Sequence, residues 1–216
     1  GAMPLVDGVS IFGGADVGIP ECGCAYYATS TQKALGLPAG FGVGFASPEA
    51  FAKAEKVKNR GHASDIITQQ GRARKHQTVT TPNCSLANQM AVQMAYIVDQ
   101  EGVENRFARH AALRDRVHAW AADMAGFELF APEGHRSPTL TTVKTPQEIT
   151  ADDLKKKLKE SMRGRGYLFD PGYAKANVAL QGQGRPAVFR IGHMGDVSMD
   201  MLEAYLAALT DELNKL

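Results

Sequence analysis

Ser30-Thr31-Gln32-Lys33-Ala34-Leu35-Gly36-Leu37-Pro38-Ala39-Gly40 ends an apolar, strand-like run with a lysine and then a loop rich in glycine and proline. A lysine at a strand end is held in one place. That is the first requirement of an amine that must form a covalent bond in a fixed geometry. Upstream, Pro4-Leu5-Val6-Asp7-Gly8-Val9-Ser10 is a second short apolar run with one acid inside it. A carboxylate buried among apolar neighbours is unfavourable without a cationic partner, so Asp7 asks for one.

The surrounding composition narrows the class of protein. A chain of 216 residues builds one large domain or two small ones, and 44% hydrophobic content is ordinary for a globular protein. The formal net charge of +1 gives no strong attraction to nucleic acid or to a membrane surface. Lys53–Arg60, Arg72–Lys75 and Lys155–Lys159 read as solvated helix faces and loops. No run reaches the roughly 20 apolar residues that cross a bilayer. Gly1-Ala2-Met3 carries neither the charge nor the apolar core of a secretory signal, and reads as a remnant of tag cleavage ahead of Pro4. Cys22, Cys24 and Cys84 are an odd set without metal or redox spacing, so buried thiols in a reducing cytoplasm are expected.

The periodicity predicts strands over Pro4–Ser10, Gly23–Ser30 and Phe41–Ala46, with a glycine-rich loop over Phe12–Pro20. Ser47-Pro48-Glu49 starts a helix with a cap and a proline at its first position. Lys58–Pro82 reads as one long polar loop of the kind that carries function. A helix follows over Ser85–Gln100, with Leu86, Met90, Met94 and Ile97 as core, and Gly102 interrupts it. The next helix runs over Glu104–Met124, with Phe107, Leu113, Val117 and Trp120 on one face. Beyond Gly126, strands are expected at Phe127–Phe130, Thr139–Lys144, Tyr167–Asp170 and Ala187–Ile191. Helices capped by Thr150 and Ser198 complete a small α+β domain.

Asp7 and Lys33 together suit a pyridoxal phosphate site, with the acid holding the pyridine nitrogen protonated and the amine forming a Schiff base. Asp/Lys pairs at this spacing are common, and spacing alone is better read as a strand-end turn acid and a turn lysine. The local sequences go further. Val6-Asp7-Gly8-Val9-Ser10, Ser30-Thr31-Gln32-Lys33-Ala34-Leu35 and Leu37-Pro38-Ala39-Gly40 resemble the class V aminotransferases, the serine–pyruvate, alanine–glyoxylate and serine–glyoxylate group of fold type I enzymes. Gln77-Thr78-Val79-Thr80-Thr81-Pro82 resembles the family's segment before its long helix. Val188-Phe189-Arg190-Ile191-Gly192-His193-Met194-Gly195 resembles its late arginine strand.

The resemblance implies an α/β fold: part of a mostly parallel large-domain sheet over residues 4–102 and a small α+β domain over 103–216. It implies pyridoxal 5'-phosphate as cofactor and transfer of an amino group from alanine or serine to glyoxylate or pyruvate. Lys33 would carry the cofactor and move the proton of the substrate α-carbon. Asp7 would pair with the pyridine nitrogen, Val9 would pack on the ring, and Gln32 would lie by the phosphate. Thr81 would donate to the phosphate of a second subunit's cofactor, implying a homodimer with a shared site. Arg190 would clamp the substrate carboxylate through two parallel hydrogen bonds. Each residue also has a plain structural reading, as a turn acid, a loop hydrogen-bonder or a surface ion pair.

His193 reads as structural, and His62 and His76 lack metal-ligand spacing, so no metal is expected. Ile11 stands where the family commonly has a small hydroxyl residue, and Cys22 where an aromatic is common, which bears on substrate preference. The family's phosphate-cradling glycine/serine loop, its stacking aromatic and most of its sheet would lie before the Asp7 strand. Two other readings stay open: an inactive fragment or scaffold subunit needing a complementary N-terminal half, and a lyase or cysteine desulfurase using the same cofactor, with Cys84 at a helix start.

Overall fold

Leu5–Asp7 (β1) runs parallel to Tyr26–Ser30 (β2), with Asp7 opposite Ala28. Gly42–Ala46 (β3) lies antiparallel on the other side of β2. The order is β1-β2-β3, so the expected mostly parallel sheet is parallel at its first pairing and antiparallel at its second. The cause is the Lys33 loop, which folds straight back: the Thr31 N–H donates to the Phe41 carbonyl, 3.2 Å. These strands belong to one of two compact units, which ends at Val103; the other spans Glu104–Leu216. The computed structural model describes residues 2–216.

In the first unit, Pro48–Ala54 (α1) starts as expected, with the Ser47 hydroxyl accepting the Ala50 N–H. The long polar loop is corrected: Ile66–Ala73 forms a helix (α2) within it. Asp65 nucleates it by accepting from the Ile67 N–H and the Thr68 hydroxyl. Cys84–Ala95 (α3) is capped by Asn83 and continues as a π-helical turn over Tyr96–Glu101 until Gly102, at φ 81°, ends it. Leu86 and Ile97 are buried as expected, but Met90 and Met94 are only half-buried. The cysteines are corrected too. Cys22 and Cys84 are exposed, Cys24 is half-buried, and all three are free thiols.

The second unit holds a filled core. Val103–Asp123 (α4) buries Leu113, Val117 and Trp120, as its periodicity predicts. Glu128–Leu129 (β4), Leu140–Lys144 (β5) and Val188–Gly192 (β6) form an antiparallel sheet in that order. Trp120, Phe127 and Phe169 pack around Phe189 with ring centroids 5.4–6.4 Å from it. Thr150 and Asp153 cap each other's backbone N–H at the head of a helix that is π-helical over Asp153–Leu158 and α-helical over Lys159–Gly164 (α5). Its Lys155, Lys156 and Lys157 point to solvent as expected, while Leu154 and Leu158 are buried. Ser198 caps Met199–Leu213 (α7).

Tyr167–Asp170 is not the expected strand; a single bridge joins Asp170 to Arg190. Pro171 and Gly172 turn the chain away into a helix that the periodicity did not reveal, Ala174–Gly182 (α6). The buried Asn177 then takes the place of a strand partner. Its amide donates to the Val188 carbonyl at 2.8 Å and accepts the Val188 N–H at 2.8 Å. Gly172 has φ 75°, and a Cβ there would press on the Val188 carbonyl oxygen, so only glycine fits.

Candidate active site

Two parallel strands deliver their C-terminal ends to the same edge of a sheet, where α/β proteins bind ligands. Here that edge presents Asp7 as the last residue of β1 and Lys33 just beyond the end of β2. Asp7 is exposed rather than embedded, because β1 ends on it. One of its oxygens accepts the Val9 N–H at 3.0 Å, which turns the chain and leaves Val9 half-buried.

Lys33 sits on a braced loop. Thr31, Ala34 and Leu35 are buried around it. The Thr31 hydroxyl donates to the Pro38 carbonyl at 2.7 Å, the Gly36 N–H donates to the Lys33 carbonyl at 2.9 Å, and the Gln93 amide of α3 donates to the Leu35 carbonyl at 3.0 Å. The Lys33 amine itself bonds nothing among the described residues, and the side chain is half-buried. Gln32 beside it is exposed, as is Thr81 in the segment before α3.

The β1 turn packs onto the lysine loop. A Cβ on Gly13 would meet the Leu35 side chain, and one on Gly8 would overlap the Tyr27 ring. Tyr27 is buried, and its hydroxyl has no hydrogen-bond partner among the described residues. Burial first, then Cys22, Cys24 and Asp7, push its pKa up, so the phenol stays protonated. Only its place in the expected strand Gly23–Ser30 pointed to it.

Arg190 lies in the second unit on β6, beside a cavity of about 410 Å3 lined by Tyr167, Asp170, Ile191, Met201, Leu202 and Tyr205. Its Nη2 pairs with one Asp170 oxygen at 2.6 Å, and the Tyr173 ring covers the guanidinium at 4.3 Å. Its Nε is enclosed without a partner among the described residues. Burial opposes the charge on Arg190, but Tyr173 and Asp170 outweigh it and raise the pKa. Neither Asp170 nor Tyr173 stood out in the sequence; the Asp-Pro-Gly-Tyr turn before a helix was the available signal. His193, three residues on, is buried. Its Nε2 lies 2.9 Å from the Thr141 hydroxyl, and burial pushes its pKa down to about 4.

Among the described residues, no group of His, Cys, Asp and Glu could hold a metal, and no helix is long and apolar enough to cross a membrane. The sequence profile of the family described as aminotransferase class-V matches residues 1–166. An uncharacterized aminotransferase of Methanocaldococcus jannaschii is 31% identical over 100% of this chain and 53% of its own length. Serine–glyoxylate aminotransferase of Arabidopsis thaliana is 31% identical over 96% of this chain and 49% of its own. The crystal structure of pyridoxamine-pyruvate aminotransferase from Mesorhizobium loti superposes with a TM-score of 0.84 at 30% identity, covering 100% of this chain and 53% of that one. The chain thus spans about half the length of the curated relatives it matches. It belongs to the class V aminotransferases, a family of pyridoxal phosphate-dependent, fold type I enzymes.

Proposed function

We propose that this chain is the catalytic-lysine half of an aminotransferase that moves an amino group from a small amino acid to a 2-oxo acid. The observation that carries the reading is the parallel β1–β2 register, which brings an exposed acid and an unpaired amine to one edge of the sheet. The donor set fits pyridoxal phosphate: Asp7 for the pyridine nitrogen, Lys33 for the covalent link, Val9 for the ring face, and Gln32 for the phosphate. Bound there, the cofactor supplies the electron sink for charge developing on the substrate α-carbon.

The residues of the chain do the rest. Lys33 takes and returns the α-proton, held in position by its braced loop. Asp7, fixed by the Val9 N–H, offers the negative charge that favours a protonated ring nitrogen. Arg190 binds the substrate carboxylate, and its enclosed, unpartnered Nε supports that role. Thr81, exposed ahead of α3, serves a second subunit's phosphate in a homodimer. Residues 4–102 are read as the end of the large cofactor-binding domain, 103–216 as the small domain, and the protein as cytoplasmic. Relatives named for glyoxylate and pyruvate support a small 2-oxo acid as acceptor.

The test is a spectral titration with pyridoxal phosphate, followed by borohydride reduction and peptide mass mapping. A fixed adduct on Lys33, absent in Lys33→Ala, is expected. Equal labelling of surface lysines in both proteins would sink the reading.

A further inference from the structure

Arg190 already holds a carboxylate, and that carboxylate belongs to the chain. One Asp170 oxygen meets the Arg190 Nη2 at 2.6 Å, and the other accepts the Gly172 N–H at 2.9 Å. Asp170 therefore satisfies a single corner of the guanidinium. A carboxylate that lies flat against an arginine edge takes two parallel hydrogen bonds, and here Nε has none. The arginine is covered on one face by Tyr173 and only 23% exposed, whereas the Asp170 side chain is 43% exposed. The Asp170–Gly172 backbone is pinned: the Asn177 amide donates to the Pro171 carbonyl at 2.9 Å, and the Arg190 N–H donates to the Asp170 carbonyl at 3.0 Å. Rotating the side chain toward solvent releases Arg190 and gives up the Gly172 N–H bond, while the two remaining bonds hold the backbone in place.

We propose that Asp170 is an internal competitor for Arg190, a specificity-determining residue that a substrate carboxylate must displace before it can take the guanidinium edge. This rests on the reading of Arg190 as the carboxylate clamp. Asp170 fills one corner of the clamp. It keeps the arginine aligned, and it raises the affinity threshold against ligands that offer only one acceptor. A ligand with a two-oxygen anion replaces one hydrogen bond with two; a neutral carbonyl ligand replaces it with nothing better. The device favours carboxylates over their esters and amides at some loss of absolute affinity.

The experiment titrates the full chain with pyruvate and, separately, with methyl pyruvate, following the 15N-resolved Arg190 Nε–H signal. Asp170→Asn keeps an acceptor for the Gly172 N–H and removes the charge. Asp170→Ser does the same with a smaller group. Both variants should bind pyruvate about two- to fivefold more tightly than wild type, the size expected of releasing a half-exposed ion pair. They should also narrow the preference for pyruvate over its ester, and Arg190→Gln should abolish binding in every background. If wild type binds pyruvate through Arg190 and both Asp170 variants bind equally or more weakly, Asp170 is a structural support. The proposal then falls and the clamp stands. If the Nε–H signal ignores pyruvate in all proteins, the clamp reading and this proposal fall together. A merely structural Asp170 predicts lost affinity, so a gain discriminates.

Discussion

The edge of the β1–β2 sheet and the Arg190 cavity differ in how they are built. The first is made of backbone: turns after two strands, glycines where Cβ atoms would collide, and carbonyls bonded by Thr31 and Gln93. Its two charged groups, Asp7 and Lys33, have no ion-pair partner among the described residues. The second is made of side chains standing on a filled aromatic core, with its charge already neutralised by Asp170 and covered by Tyr173. In the roles proposed above, an amine that forms and breaks a covalent bond is suited to a rigid seat and no partner, and a guanidinium that discriminates between anions is suited to a partner it can exchange.

The largest effect expected from breaking this contrast is at Lys33. Lys33→Ala should remove the borohydride-fixed adduct completely while leaving the single tryptophan, Trp120 of the second unit, with unchanged fluorescence. A shifted Trp120 spectrum would mean that the lysine has a structural role too.

The next effect is in pH. His193 is held neutral by burial, at a pKa of about 4 against 6.5 for the unfolded chain. Well above pH 6.5 neither state binds the proton, and the full stability is present. Between pH 6.5 and 4 the unfolded state takes it up first, so stability falls with pH, by up to about 3 kcal/mol once both states are protonated. Urea melts read at Trp120 should show this slope, and His193→Gln should flatten it. An unchanged slope would place the acid sensitivity elsewhere.

A smaller loss is expected from Asn177→Ala. It leaves the Val188 N–H and carbonyl buried without their side-chain partner, at about 2 kcal/mol in the same melts. Its effect on pyruvate affinity should exceed its effect on the Lys33 adduct, because it unpins the Asp170 turn. The Asp170 variants give the smallest change, and the only expected gain.

The same contrast explains what could be read from the chain. The Lys33 loop is mostly local: an apolar strand, a lysine, then glycine and proline, with bonds from Thr31 to Pro38 and Gly36 to Lys33; only the Gln93 brace and the Gly13 turn come from elsewhere in the sequence. Caps at Ser47, Thr150 and Ser198 were legible for the same reason. The Asp170–Arg190 pair was not, because residues 167–170 carry a strand-like apolar pattern that comes from packing Tyr167 and Phe169 into the core. The ladder fails through Asn177, whose side chain mimics a strand from a helix. Helix α2 was hidden by polar residues that merely face solvent, although Asp65 ahead of Ile66 and Thr68 was a usable cap signal. The thiols were misplaced because small apolar side chains are usually buried, and nothing in Cys22-Gly23-Cys24 shows that the turn carrying them faces outward.

The close approach of Gly8 to Tyr27 has a genetic consequence. A Cβ at position 8 would overlap the Tyr27 hydroxyl and ring atoms together, so Tyr27→Phe cannot make room for it, while a small residue at 27 can. In a saturation library, position 8 should tolerate no side chain in the parental background, yet accept alanine or serine once position 27 is reduced to alanine. The two sites would then show positive epistasis, with the turn after Asp7 rescued by a vacancy beneath it.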